Sequence, residues 1–450
     1  MKSACGHGWI GLAVIVVVAL PDGAWSAPVP LLGVREKAAI KAKLHQAKLA
    51  PRLEAISELG KFPEAESVKI LYNLGLHDRT NEVRLATYAT LLKLRNERPV
   101  CDALIELLNH QARVGKPDAA AALLMGVLLS SALPDVEHSS QRYLDEQLIE
   151  ARDGAGFVLS MCDLLAARGD VADLVPLVRL QNTKLFEQFG VRRGVVRATT
   201  AIEDKAAVEV LIGLLPKLDG EVKADVIEYL CQVAKMKLAE TADWTAWWAE
   251  NKAKFVFPNP FVRPPHRSLD QVAWASGSLY YGLPLYGQRL AFILDASHSM
   301  SGERMDAAKR ELIKSLESLG DHVKFGVVVY NSGVVYWQRA LVEATSANKA
   351  EATRFVNEIV PASNTATYDA LEMGFEYDAE ALYLLTDGAP TTGRFVAPAD
   401  ICKAIQQRNH SRRMSIYTIG IGPGPVGSPM EVFLTALAQQ NYGIYRRVDE

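Results

Sequence analysis

The sequence predicts a multidomain chain: an α-helical solenoid, then an α/β domain with a doubly wound, mostly parallel sheet. Three observations carry that expectation. From Ala38 to Phe255, leucine, valine and alanine recur at three- and four-residue steps, the period of a helix with one apolar face. After Arg289, continuous apolar runs alternate with helix-period stretches, the pattern of parallel strands covered on both faces. At 450 residues, the chain exceeds what one hydrophobic core usually serves.

At the start of the chain, Lys2 precedes an uninterrupted apolar stretch from Ile10 to Leu20, followed by Pro21, Asp22, Gly23 and Ala24-Trp-Ser26. A short basic start, an apolar core too short to span a bilayer comfortably and a small-residue processing site predict an export signal over residues 1–26. The protein is therefore expected to be periplasmic, cell-surface or secreted, with membrane contact only if the segment stays uncleaved. Cys5 precedes the apolar core and is not placed as a lipoprotein cysteine. Cys101, Cys162, Cys231 and Cys402 lie far apart in apolar, helix-like contexts, which predicts buried free thiols. The net charge of −3 rests on nearly balanced acidic and basic totals, so there is no electrostatic footprint for nucleic acid.

The helical region, 38–255, contains a repeat. Val68-Lys-Ile-Leu-Tyr-Asn-Leu, a polar turn and Asn81-Glu-Val83-Arg84 are echoed by Val208-Glu-Val-Leu-Ile-Gly-Leu, a turn and Asp219-Gly-Glu-Val222-Lys223. Each copy is a helix pair that cannot bury its apolar face alone, so stacking into a solenoid is the physical solution. The Glu-Val-Arg opening of the second helix, with Leu59-Gly60 before the pair, resembles HEAT-type repeats. An irregular helical bundle is the alternative, and Ala119 to Arg197 has helical periodicity without a repeat signature. Trp244, Trp247 and Trp248 share one helix face and are expected to form an aromatic plug closing the last repeat.

Between 256 and 288, Pro258, Pro260, Pro264, Pro265 and Pro284 interleave with Phe257, Phe261, Trp274, Tyr280, Tyr281 and Tyr286. So many prolines forbid a regular helix, and so many aromatics argue against a free tether, which leaves a packed connector. In the last domain, 289–450, strands are expected at Leu290–Asp295, Val323–Tyr330, Ala381–Thr386 and Met414–Gly420. Val334–Trp337 is expected as a hairpin partner and Tyr442–Val448 as a final edge strand. Helices are expected at Arg304–Leu319, Lys349–Val360, Tyr368–Tyr377, Pro398–Asn409 and Met430–Gln440.

In such Rossmann-like folds, ligands bind beyond the carboxyl ends of the strands. Three oxygen-rich loops fall there: Asp295-Ala-Ser297-His-Ser299; Ser363-Asn364-Thr365; and Thr386-Asp387-Gly388. Carboxylates and hydroxyls delivered by tight turns suit a hard divalent cation. Together the loops resemble the metal-ion-dependent adhesion site of von Willebrand factor type A domains, whose pattern is Asp-x-Ser-x-Ser, a distant Thr and a distant Asp in a Thr-Asp-Gly turn. The wider stretches Tyr286 to Met300 and Leu384-Leu-Thr-Asp-Gly-x-Pro390 resemble the family too.

The resemblance implies that Ser297, Ser299 and Thr365 supply hydroxyl ligands, while Asp295 and Asp387 bind directly or through water. Magnesium is the expected ion, with calcium or manganese as alternatives. It further implies that the cation accepts an acidic side chain from a protein partner. Two departures stand out. His298 lies between the serines, where relatives often have Gly, and Ser363-Asn364-Thr365 replaces Gly-Gly-Thr. Thr365 is preferred over Thr367 because its offset to Asp369-Ala-Leu fits the family spacing. His298 is expected to point away from the cation.

The function so implied is a non-catalytic, exported adhesion or scaffolding protein. One alternative is a helical-repeat scaffold that binds a protein on its repeats beside an accessory structural-metal domain. The other is a metal-assisted hydrolase, for which His298 and Glu303 form no recognisable motif. The chain has no Gly-x-Ser-x-Gly elbow, Walker loop or His-Glu-x-x-His, and prolines interrupt Gly420-Ile-Gly422-Pro-Gly424.

Overall fold

The apolar runs after Arg289 become the strands of a seven-stranded sheet with the order β5-β4-β3-β7-β8-β9, where β6 also pairs with β4. These are β3 (Arg289–Asp295), β4 (Lys324–Tyr330), β5 (Val334–Tyr336), β6 (Val342–Glu343), β7 (Ala381–Thr386), β8 (Ser415–Ile421) and β9 (Tyr445–Val448). They follow a small hairpin of β1 (Leu279–Tyr280) and β2 (Leu283–Pro284). The computed structural model describes residues 31–449 apart from 115–118, 137, 141–154, 263–266 and 268–276. The expected export signal and part of the connector lie outside the described residues, and none of the described helices is long and apolar enough to cross a membrane.

By its contacts the chain divides into two compact units, Met1–Ile202 and Glu203–Glu450. The first is helical: α1 (Val34–Leu44), α2 (Leu49–Leu59), α3 (Ala65–Ile70, continued by a π turn over Leu71–Leu76), α4 (Asn81–Lys93), α5 (Arg98–Val114), α6 (Ala119–Leu129), α7 (Ala155–Arg168), α8 (Leu174–Leu180) and α9 (Phe189–Ala201). Each of these packs on helices one or two places away. The Asn81-Glu-Val83-Arg84 opening has a local cause: Val83 is fully buried, and Arg84 donates to the Asp78 carbonyl at 2.7 Å, closing the turn before α4. Beneath it Arg52 makes a bidentate pair with Asp78 at 2.6 and 2.8 Å and donates to Thr80 at 2.8 Å.

In the second unit, α10 (Lys205–Leu214), α11 (Gly220–Ala234) and α12 (Thr241–Asn251) precede the hairpin and sheet. On α12, Trp244 and Trp248 are buried, and Trp247 packs edge-on to Trp244 and to Phe255.

Between the strands run α13 (Glu303–Ser318), α14 (Ser346–Asn357), α15 (Thr367–Gly374), α16 (Pro398–Arg412) and α17 (Pro429–Gln439). Alternation along each strand divides the core in two. Leu290, Phe292 and Leu294 face α13, α14 and the β1–β2 hairpin; Ala291 and Ile293 face α15, α16 and α17. On the first face Phe292, Tyr383 and Tyr417 occupy neighbouring register positions and stack at 5.5 and 4.7 Å. The hairpin was not expected from the sequence. Its turn at Tyr281-Gly282 has φ of 51° and 77°, the left-handed pair that a two-residue turn requires.

Helix α11 is tied to the amino ends of the strands. The buried Glu221 carboxylate accepts from Ser415 at 2.8 Å and from the Tyr417 hydroxyl at 3.0 Å. Its own N–H donates to the buried Glu380 carboxylate, which also accepts from Gln288 N. These bonds explain why the helices from Lys205 onward fold with the sheet, although their composition matches the repeats before them.

The expected strand at Tyr442–Val448 starts later, at Tyr445, because Gly443 passes directly over β8. A Cβ on Gly443 would sit 2.0 Å from the Ile416 carbonyl oxygen, and backbone cannot step aside as a side chain can. Gly443→Ala is expected to lower stability by about 2 kcal/mol or more. A drop in the urea midpoint, with faster amide exchange in β9, checks this.

Candidate metal centre

Strand order reverses at β3: the chain runs from β3 outward to β4 and β5, then returns to add β7 on the other side. The carboxyl ends of β3 and β7 therefore flank the crevice where such sheets bind ligands. Asp295 ends β3, and Asp387 follows Thr386, the last residue of β7. The third loop is laced between them. Ala362 N donates to Ala296 O at 2.8 Å, His298 N to Ser363 O at 3.2 Å and Ala366 N to Asn331 O at 2.9 Å.

Asp295 is fully buried. Its Oδ1 accepts from Ser297 N at 2.8 Å, and its Oδ2 accepts from Thr386 Oγ1 at 2.5 Å and Tyr330 OH at 3.4 Å. Ser297 and Ser299 hydroxyls lie 3.1 Å apart, and Ser299 donates to Asp387 Oδ1 at 2.7 Å. Asp387 Oδ2 accepts from Arg304 Nη1 at 2.9 Å. Four of the five residues named from sequence thus form one hydrogen-bonded chain. Thr365 stands on the loop bound to that chain. Its N–H donates to Thr391 Oγ1 at 2.9 Å, and its carbonyl accepts from Thr391 N and Thr392 N. Among the described residues its hydroxyl makes no hydrogen bond, and the fully buried hydroxyl left without a partner in this segment is that of Thr367. Neighbouring Thr367 is fully buried at the head of α15, beside the Tyr330 hydroxyl. His298 is exposed.

Burial pushes the Asp295 carboxyl up to about 6, against the opposing hydrogen bonds from Thr386 and Ser297, and the Asp387 carboxylate adds to the rise. Two carboxylates in a dry corner with unspent hydroxyl lone pairs form an oxygen-only donor set that fits a hard divalent cation. Among the described residues, no three His, Cys, Asp or Glu side chains gather in a way that could hold a metal, so any cage here must draw on Ser and Thr.

Several residues of the corner were not legible in the sequence. Thr386 and Tyr330 fix Asp295, Thr391 fixes Thr365, and Arg304 neutralises Asp387. Arg304 left one signal: a cation in the first turn of α13, where the helix dipole disfavours it, needs a partner. Ser363 carries φ of 59°, so the loop keeps the left-handed backbone that a Gly-Gly-Thr sequence would adopt freely, at a cost of about 1 kcal/mol.

The raised Asp295 group fixes the pH dependence in chelator. Folded protein holds its proton up to about pH 6, whereas an unfolded chain releases it near pH 4. Stability is therefore expected to fall as pH rises from 4 through 6, by about 3 kcal/mol. An Asp295→Asn side chain can still accept from Ser297 N and donate to Thr386, whose hydroxyl then turns to the Gly388 carbonyl at 3.1 Å. It should erase the pH slope and stabilise the metal-free protein at pH 8, as read by urea melts in chelator. Ser363→Gly should raise the stability read from the same melts by up to about 1 kcal/mol.

Comparison with known proteins bears on this region. Residues 288–447 match the family model of the von Willebrand factor type A domain. Inter-alpha-trypsin inhibitor heavy chain H3 of Rattus norvegicus is 32% identical over 183 residues, covering 38% of this chain and 20% of that protein. Heavy chain H4 of Homo sapiens is 29% identical over 182 residues, 38% of this chain and 19% of that protein. The chain thus spans about a fifth of the length of these relatives. Among solved structures, a von Willebrand factor type A protein from Catenulispora acidiphila aligns over 36% of this chain and 38% of its own, with TM-score 0.33 and 22% identity. Behind its α-helical region, this chain carries a von Willebrand factor type A domain over residues 288–447.

Proposed function

We propose that Asp295, Ser297, Ser299, Thr365 and Asp387 hold a divalent cation, magnesium first, and that the cation docks an acidic side chain of a protein partner. The observation that carries this is the Thr365 hydroxyl, which makes no hydrogen bond among the described residues and stands on the loop laced to Asp295, Ser297, Ser299 and Asp387. The protein acts as an exported, non-catalytic adhesion or scaffolding protein. Export is supported by the signal pattern at 1–26. The non-catalytic role is supported by relatives that are named as inhibitor heavy chains.

When bound, the cation supplies a Lewis-acidic position that takes one more oxygen ligand. The protein's part is to orient the hydroxyls, exclude water from the Asp295 side and hold the loops at fixed spacing. Asp295→Ala and Thr365→Val are each expected to reduce partner capture from the native envelope fraction at least about tenfold, matching the effect of chelator on wild type. Capture unchanged by chelator and by both substitutions would sink metal-dependent docking. Steady turnover of a substrate would favour the hydrolase.

A further inference from the structure

We infer that Arg304 is a tethered counter-charge that sets the cation affinity of this site, an inference that rests on the metal-binding reading above. Arg304 is the second residue of α13, reached from the Ser299 turn through Gly302, whose φ of 81° lets the chain bend sharply into the helix. That bend brings its guanidinium back over the site. Nη1 lies 2.9 Å from Asp387 Oδ2 and 3.4 Å from the Ser299 carbonyl. The Asp387 side chain is fully buried, while that of Arg304 is 34% exposed. Among the described residues, this buried carboxylate thus meets a full positive charge on one oxygen and the Ser299 hydroxyl on the other.

The consequence for a cation is electrostatic. Asp387 presents Oδ1 towards the hydroxyl cluster while Oδ2 is held by the guanidinium, so an incoming ion meets a carboxylate already half neutralised and a like charge a few ångströms behind it. Affinity is lower than the five oxygen donors alone would give. The same guanidinium stays beside the loaded site as a second positive group. A site so arranged takes its cation weakly and then favours an anionic ligand. Arg304 is a positioning and charge-setting residue rather than a ligand.

Isothermal titration with Mg2+ alone, and with Mn2+ alone, on the full chain tests this in wild type, Arg304→Gln, Arg304→Lys and Asp295→Ala. Urea melts in chelator confirm that each variant folds. Arg304→Gln should bind about tenfold more tightly than wild type, with Arg304→Lys close to wild type and Asp295→Ala non-binding. Binding seen in Arg304→Gln alone would support the inference equally. Unchanged or weaker binding in Arg304→Gln, beside measurable binding in wild type, overturns the role of Arg304 and leaves the metal site standing. Absence of binding in both removes the metal-binding reading, and this inference with it.

Discussion

Two carboxylates placed in one dry corner are the constraint on which the rest of this domain turns. Adjacent parallel strands deliver Asp295 and Asp387 to the crevice where strand order reverses, and burial makes the charged form of Asp295 costly. Each neighbouring feature offsets part of that cost. Ser297 N, Thr386 and Tyr330 donate to Asp295, and Ser299 and Arg304 donate to Asp387. Burial nevertheless holds the Asp295 carboxyl up at about 6.

The opposite end of the strands holds the frame that keeps this corner in register. Glu221 at the start of α11 accepts from Ser415 and Tyr417, and Glu380 accepts from Gln288 N and Glu221 N. Between the two ends, Phe292, Tyr383 and Tyr417 stack across three strands. Side-chain hydrogen bonds at one end, aromatic packing along the middle and the backbone bonds that lace the loops at the other end hold the site residues at fixed spacing, as a preorganised ion site needs.

Much of this was legible in the sequence because the physics is local there. Strands buried on both faces must be continuous apolar runs, so Leu290–Asp295 and Ala381–Thr386 announced themselves, and the loops beyond them carry the residues proposed as oxygen ligands. What stayed hidden depends on neighbours distant in sequence. Nothing in Gly220-Glu221 says that this helix folds with a sheet beginning almost seventy residues later, because the signal is a buried carboxylate meeting Ser415 and Tyr417 across 194 and 196 residues. The late start of β9 follows from a backbone approach at Gly443 that no periodicity encodes. The hairpin at Tyr281-Gly282 was hidden among prolines, although Tyr-Gly before another apolar pair was a usable clue.

In the proposed cage, Asp295, Ser297, Ser299, Thr365 and Asp387 from three loops surround one cation. Crystals grown with Mn2+ and measured at the manganese absorption edge test it most directly. A single anomalous peak is expected within about 2.0–2.4 Å of the Ser297, Ser299 and Thr365 hydroxyl oxygens. Manganese elsewhere, or no peak between β3 and β7 at saturating metal, would contradict it.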